Sequence, residues 1–213
     1  MKLNKYLIGE ILSLLAFSVF TIIAIKNEQI SMFYLVYLFW MDEFLKTIFN
    51  FLNYFFNRSN IPNPLVYKKM AKSRLFMLSI YFVFIIVFFG FIIDWKSSDT
   101  VLGNFGVFFF KNAFFNLSVT VFLLREIYEF YYGLKNIQNS PYTIFSKGLI
   151  TLHLSLLLGI FTWAFFNGKF GDFNLDIGSY KTIVAIIPFI IIKLIFEIME
   201  IKQRTPKSLD NIH

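Results

Sequence analysis

Charged side chains that could move protons or bind a small ion stand inside long apolar segments of this chain. A charge near the centre of a bilayer costs about 3 kcal/mol or more, so it is seldom retained without a partner and a use. Charges at matching depths in the second, fifth and sixth segments therefore predict a charged pocket within a membrane. The candidates for this pocket, or for a proton relay, are Asp42, Glu43, Lys46, Asn50, His153, Lys193 and Glu197.

The polar residues of the second segment share one helical stripe. Asp42, Glu43, Lys46, Asn50 and Asn53 recur at spacings of three and four, which places them on one side of a helix. One interpretation is structural: Glu43 and Lys46 neutralise each other, and the asparagines hydrogen-bond neighbouring helices. The other interpretation is a functional polar face that lines a pocket.

The last apolar segment carries a second pair of opposite charges. Lys193 stands near its middle and Glu197 follows one turn later, at ion-pair spacing. The ammonium group of Lys193 is too deep to reach the interface easily, so a carboxylate from another helix, that of Asp42 or Glu43, is a plausible partner. A purely structural salt bridge would give the same sequence pattern.

His153 lies in the fifth segment at a depth close to these carboxylates. An imidazole there could relay protons or contact a solute. The alternative is a histidine whose ring is hydrogen-bonded as part of helix packing. Because His213 is the one other histidine in the sequence, an imidazole-rich metal centre is excluded. A metal site of His153 with carboxylates is the less favoured alternative, and we predict no metal.

A further charged group closes the fourth segment. Arg125 and Glu129 are four residues apart and share a helix face, and Glu126 stands beside them. Their position towards the predicted cytoplasmic end favours ion pairs with lipid headgroups or adjacent helices. The alternative is that they line an inner gate.

Composition indicates a membrane protein. Hydrophobic residues make up 57% of the 213-residue sequence, and charged residues fall to 15%, against about 25% in soluble domains. Six apolar segments nearly exhaust the length and leave no room for a soluble domain. We predict an all-α integral membrane protein with a single domain over residues 1–213.

Each apolar segment is long enough to cross about 30 Å of hydrocarbon as a helix. The first begins like a signal peptide, but Glu10 interrupts it and Ile22 occupies the small-residue position needed for cleavage after Ala24, so we interpret it as a retained span. We predict a six-transmembrane-helix bundle with spans Tyr6–Ile25, Ile30–Phe56, Leu75–Asp94, Phe105–Tyr132, Ile144–Phe166 and Thr182–Ile201.

Basic residues orient this predicted bundle. Twelve fall in the ends and connections of one side and four on the other, which predicts that both termini are cytoplasmic. Some of them are expected to contact anionic headgroups, although they could equally serve as the topology signal alone. These expected headgroup contacts are Arg58, Lys68, Lys69, Lys72 and Arg74.

The sequence lacks the residues and motifs that several classes of enzyme chemistry require. The chain has no cysteine, which removes thiol nucleophiles, Fe–S clusters and Cys-ligated zinc. It also has no nucleophile elbow, no His-Glu-x-x-His pair and no P-loop. The net charge of +7 is gathered beside the membrane, so it does not indicate a nucleic-acid partner. We expect no cofactor and no catalytic residue, and the enzyme class is left open as the less favoured one.

Three sets of short motifs are similar to those of a known family. The first is an aromatic-Trp-x-acid element with a later Asn, formed by Phe39, Trp40, Asp42 and Asn50. The second is Pro-Tyr before a helix with Leu-His and a following Gly, formed by Pro141, Tyr142, Leu152, His153 and Gly159. The third is a Lys with an acid four residues on, formed by Lys193 and Glu197.

On these motifs the chain resembles a divergent member of an uncharacterised bacterial membrane-protein family, domain of unknown function 6498. The resemblance implies a six-helix bundle and draws attention to Asp42, Asn50, His153, Lys193 and Glu197. It implies no particular activity, because none is assigned to the family. Function must therefore be argued from the site.

Three function classes follow from these observations. The leading hypothesis is a multi-pass protein of the bacterial inner membrane that acts as a channel-like or proton-coupled carrier of a small polar or ionic solute. The alternative is a structural or assembly subunit whose polar stripes pair with another membrane protein or with a second copy of the chain. The third is an intramembrane enzyme acting on a lipid or membrane protein. A carrier predicts charges facing one interior cavity, and a subunit predicts a polar stripe on the outside.

Overall fold

The computed structural model describes residues 5–27, 29–93, 95–132, 147–166 and 181–204. Within these ranges the chain is helical and contains no strand, which confirms the all-α prediction. The helices are α1 (Lys5–Lys26), α2 (Met32–Phe56), α3 (Pro64–Phe84), α4 (Ser98–Phe108), α5 (Ala113–Tyr131), α6 (Lys147–Phe166) and α7 (Lys181–Arg204). A short 3₁₀ turn, Arg58–Asn60, follows α2, and α3 continues as a π-helix over Ile85–Ile92.

The second helix, α2, is the centre of the bundle. Ser31 caps its N-terminus by accepting a hydrogen bond from the Tyr34 backbone N–H at 3.1 Å. Every residue from Phe33 to Glu43 is buried, which is typical of a helix covered on all sides. It packs against α3, α5 and α6 and also contacts α4 and α7. The other helices therefore surround it.

The outer helices turn apolar stripes outward. Exposed residues recur every three or four positions, as on α1 at Leu12, Leu15, Val19 and Ile22, and on α7 at Ile187, Ile191, Ile195 and Ile198. Among the described residues, four helical segments are long and apolar enough to cross a membrane: Ile8–Lys26, Pro64–Ile92, Ser98–Tyr131 and Lys147–Phe165. An outer surface of this kind is that of a membrane protein.

The third predicted span begins earlier in the structure than expected. The helix starts at Pro64 and not near Leu75, because Asn63 caps it and proline is well suited to the first helical position. Lys and Arg are good helix formers, so the basic residues that follow lie on α3 and not in a loop. Lys69 and Lys72 are exposed, whereas Arg74 is buried. Headgroup contact stays a prediction for these basic residues.

The fourth predicted span, Phe105–Tyr132, is interrupted near its start. The chain leaves α4 at Phe109, and Phe110 adopts a positive φ of 57°. Asn112 then caps α5 by accepting from the Phe115 N–H at 3.0 Å, and the Asn116 side chain donates to the Phe110 carbonyl at 2.6 Å. These asparagines end one helix and begin another where apolarity alone predicts continuity.

The π-helix of α3 packs closely on α6. The Phe89 ring lies over Gly159, where an added Cβ would come within 2.4 Å of the ring. On the other side, the Asn104 amide of α4 donates to the carbonyls of Phe89 and Gly90 at 3.4 and 3.5 Å. Asn104 also accepts from the Ser31 hydroxyl at 2.8 Å. The wider turns of a π-helix are thus stabilised from two neighbouring helices.

We predict that Gly159→Ala destabilises the protein by about 1–3 kcal/mol, because the new methyl group overlaps a fully buried ring. Equilibrium unfolding in detergent measures the loss. Gly103→Ala is the matched control: a Cβ at Gly103 meets nothing within 4 Å, and alanine favours a helix over glycine. Equal stability of the two variants would contradict the packing of Phe89 on Gly159.

Candidate functional site

Buried charged residues from four helices meet beside α2. We call them the charge cluster: Glu10 of α1, Asp42, Glu43 and Lys46 of α2, Arg125 and Glu126 of α5, and Lys193 and Glu197 of α7. All are buried except Lys46, whose side chain is 16% exposed. Charges so far from solvent persist only when they are paired in good geometry.

Asp42 holds the charge cluster together. Its side chain is 0% exposed, and it contacts cations from three helices. Oδ1 accepts from the Arg125 guanidinium at 2.6 Å. Oδ2 accepts from the Lys193 ammonium and lies 3.3 Å from that of Lys46. The predicted pairing of Lys193 with a carboxylate of α2 is therefore confirmed.

The lysines extend the network along α2 and α7. Lys193 is 2.6 Å from Glu197, the predicted partner one turn later. Lys46 is 3.3 Å from Glu43, as the spacing predicted, and 3.8 Å from Glu197. The Lys193 ammonium also lies 5.6 Å from the centre of the Phe39 ring, within range of a cation–π interaction.

Arg125 links α1 and α2 through the two ends of its guanidinium. Nη1 donates to the Ser13 hydroxyl at 3.3 Å and lies 3.8 Å from Glu10. Nη2 donates to Asp42 and, at 3.1 Å, to the neighbouring Glu126. A planar fork of donors is suited to holding several carboxylates at once.

The sequence predicts that Arg125, Glu126 and Glu129 form ion pairs with lipid headgroups or with adjacent helices, and Arg125 does pair with Glu10 of α1 and Asp42 of α2. All three are buried, and the guanidinium points to Asp42 and not to headgroups. The inner-gate alternative is not tested by this geometry.

Two other predicted pocket residues lie apart from the charge cluster in the structure. The imidazole of His153 is exposed, and its Nδ1 is 3.0 Å from the Tyr81 hydroxyl. The buried face of α6 is centred on Leu152, Ser155 and Gly159, and at about 100° per residue the helical period places His153 away from that centre. Asn50 accepts from the Tyr67 hydroxyl at 3.4 Å. Depth alone did not fix which way these side chains point.

Glu10 is the cluster member that our sequence reading missed. We noted it as an interruption of the first apolar segment and did not assign it to the pocket. The signal was present, because an acid inside an apolar helix needs a polar neighbourhood, and Ser13 stands three residues later on the same face. Both side chains are buried and both contact Arg125.

Gly148 lets α6 approach the charge cluster. An added Cβ there would lie 1.7 Å from the Glu43 carboxylate. Glycine therefore leaves the space that this carboxylate occupies between α2 and α6. The contact places the start of α6 against the edge of the network.

Among the described residues, the charge cluster joins five carboxyl groups to three cationic groups. Buried charge is very costly away from water unless it is paired. A carboxyl group that takes up or releases a proton in such a network changes the charge that its cations must balance.

Metal binding is a separate question. Within the described residues, no group of three or more His, Asp or Glu side chains is arranged to hold a metal ion.

Comparison of the chain with protein-family models, curated proteins and solved structures found no match. The resemblance to domain of unknown function 6498 stays a prediction.

We predict that Asp42→Asn and Lys193→Met each destabilise the protein by about 3–5 kcal/mol, because each leaves a buried opposite charge with a lost partner. The double variant should lose less than the sum of the two, since the pair is removed as a unit. Equilibrium unfolding in detergent measures this cycle. Asp99→Asn, at an exposed acid of α4, is the matched control. Strict additivity would contradict direct pairing.

Proposed function

We propose that this chain is a carrier of a small polar or ionic solute in the bacterial inner membrane, coupled to protons at the charge cluster. The observation that carries the proposal is the buried, interhelical network in which carboxyl groups and cations from four helices are paired. A group that binds and releases protons in such a place changes the charge of the whole interior.

Coupling to a solute follows from the way the charges are shared. Lys46, Arg125 and Lys193 each contact at least two carboxyl groups. When one of these carboxyl groups gains a proton it loses its negative charge, and the cation that it shared can then bind another partner. A polar or anionic solute could take that place. Because the shared groups belong to four helices, the exchange would bias how those helices pack.

The carrier proposal is supported over the assembly-subunit alternative by the direction of the charges. A subunit that pairs through polar stripes would present them on its outer surface. Here the charge cluster is covered by helices whose outward faces are apolar. One feature favours the alternative: the exposed imidazole of His153 on α6 could hydrogen-bond a membrane partner or a second copy.

We further propose six spans with both termini in the cytoplasm. The break before α5 leaves α4 too short to cross a bilayer as a separate helix, so the six spans would be α1, α2, α3 with its π-helix, α5, α6 and α7. This count keeps the positive-inside distribution of the basic residues.

Single-cysteine labelling tests this orientation, and a cysteine-free sequence makes the experiment clean. We expect Lys96→Cys to react with an impermeant maleimide in intact cells, because this exposed residue lies on the proposed outer side. Lys69→Cys, also exposed, should react only after the membrane is opened. The reverse pattern would contradict the orientation.

Proteoliposomes test the carrier proposal. With a pH-sensitive dye inside and a panel of inorganic cations, amino acids and small carboxylates outside, at least one solute should drive proton movement. Asp42→Asn should reduce that movement to the level of protein-free vesicles, because it removes the carboxylate shared by three cations. Lys46→Gln, at the least buried member, gives a second variant less prone to misfolding.

Asp99→Asn is the control and should retain the flux, since Asp99 is exposed on α4. Unchanged flux in folded Asp42→Asn protein would contradict the role of the charge cluster. Absence of flux across the panel, with a stable stoichiometric membrane partner recovered instead, would favour the assembly subunit.

A further inference from the structure

Three buried hydroxyl groups lie apart from the charge cluster on α1, α2 and α5. We call them the hydroxyl trio: Thr21, Tyr34 and Ser118, each at most 1% exposed. The Tyr34 side chain lies close to that of Ser118. Its ring also meets that of Phe115, one turn earlier on α5, at 5.5 Å between ring centres. Two members of the trio are therefore neighbours across the contact between α2 and α5.

The register of α1 against α5 places Thr21 beside them. The two helices pack antiparallel, and their successive contacts are Ser13 with Arg125 and, one turn later on α1, Phe17 with Phe122. Each turn forward on α1 thus corresponds to one turn back on α5. The next turn brings Thr21 level with Ser118, and both residues are buried.

The hydroxyl trio does not complete its hydrogen bonds within the protein. Ser118 donates to the Phe114 carbonyl at 2.9 Å, and its oxygen can still accept. The hydroxyls of Thr21 and Tyr34 have no hydrogen-bond partner among the described residues. Buried hydroxyls are as a rule satisfied by protein groups or by ordered water, and a buried water needs several polar partners. Three oxygen atoms from three helices meet that requirement.

Three phenyl rings separate the hydroxyl trio from the charge cluster. They belong to Phe17, Phe39 and Phe122, which we call the phenyl layer, and each is at most 2% exposed. The Phe17 ring centre is 6.0 Å from that of Phe39 and 6.2 Å from that of Phe122. On α1, α2 and α5 alike, the phenylalanine stands about one turn from the trio's hydroxyl and about one turn from a polar residue of the cluster region. The phenyl layer therefore lies across the route between the two polar groups.

The inner side of the phenyl layer contacts cations of the charge cluster. The Lys193 ammonium lies 5.6 Å from the centre of the Phe39 ring and 5.9 Å from that of Phe122. The guanidinium carbon of Arg125 lies 5.5 Å from the centre of the same Phe122 ring. These distances are within range of cation–π attraction. Because both cations also pair with Asp42, a change in their pairing alters the attraction that holds the phenyl layer.

We propose that the hydroxyl trio is a water-binding site on the outer side of the charge cluster, and that the phenyl layer is the gate between this water and the cluster. The inference rests on the proposed carrier function and orientation, in which the C-terminal end of α1 and the N-terminal ends of α2 and α5 face the exterior. It names the route by which protons would reach the buried carboxyl groups.

Each part of this arrangement has a separate task. The hydroxyl groups of the trio both donate and accept hydrogen bonds, so they can hold a water molecule and pass a proton along it. The phenyl rings offer no such hydrogen bonds, so a closed layer keeps water and protons from the buried charges. Weaker attraction of Lys193 or Arg125 for the Phe122 ring would let the layer open.

Water-edited solid-state NMR of the full-length protein in lipid bilayers tests the binding site without transport. Magnetisation from water protons should reach the Tyr34 ring, although this residue is fully buried, and should not reach the Phe17 ring within the same mixing time. Thr21→Val removes one hydroxyl at nearly constant volume and should weaken the transfer to Tyr34. Thr120→Val is the matched control, because Thr120 is exposed and donates within its own helix.

Two results of this measurement would overturn the binding site. One is a wild-type protein in which no magnetisation passes from water to Tyr34. The other is a folded Thr21→Val protein in which the transfer to Tyr34 is unchanged.

Proton leak in proteoliposomes tests the gate. Phe17→Ala removes the ring that joins Phe39 to Phe122 and leaves in place the two rings that contact cations. With an imposed pH gradient and no solute, this variant should leak protons faster than the wild type, and Phe17→Leu, which fills more of the space, should leak less. Phe76→Ala, at a 67% exposed ring of α3, should match the wild type. Wild-type leak in folded Phe17→Ala protein would overturn the gate.

Flux measurements separate this inference from the carrier proposal. We expect Tyr34→Phe and Thr21→Val to slow solute-driven proton movement. Unchanged movement in both variants would overturn the hydroxyl trio as the proton route while the carrier function stood. A hydrated Tyr34 and a leaking Phe17→Ala variant of a protein that moves no solute would overturn the carrier function and leave the water site and the gate supported.

Discussion

The buried carboxylate of Asp42 is the constraint on which the rest of the structure depends. It has no access to solvent, and its stability requires the cations that α2, α5 and α7 bring to it. Those three helices must therefore meet at one depth. Arg125 then extends the requirement to α1 through Ser13 and Glu10. A single acid thus fixes the relative positions of four helices.

Two local departures from regular helices also shape the bundle. The capped break before Ala113 ends α4 and begins α5, the helix from which Arg125 reaches Asp42. The π-helix of α3 places the Phe89 ring against Gly159, and this contact packs α3 closely on α6. Apolar residues cover the outside, so the bundle turns its charge inward and its hydrocarbon outward, as a membrane protein must.

Sequence patterns predicted what depends on spacing within one helix. The Glu43–Lys46 and Lys193–Glu197 pairs followed from helical period, and matching depth was enough to predict that Lys193 would meet a carboxylate of α2. Direction around a helix axis was harder: His153 has the right depth but lies on the exposed side of α6. The particular partners of Arg125 on α1 and α2 were not predicted, because spacing within α5 does not show which neighbouring helix its side chain faces.

The most direct test of the account is a solid-state NMR measurement of the distance between the Asp42 carboxyl carbon and the Arg125 guanidinium carbon in lipid bilayers. Direct hydrogen bonding, as in the 2.6 Å contact between Oδ1 and Nη2, predicts a measurable dipolar coupling between the two labelled carbons. A wild-type protein with no measurable coupling would contradict the central claim that Asp42 joins α2 to α5.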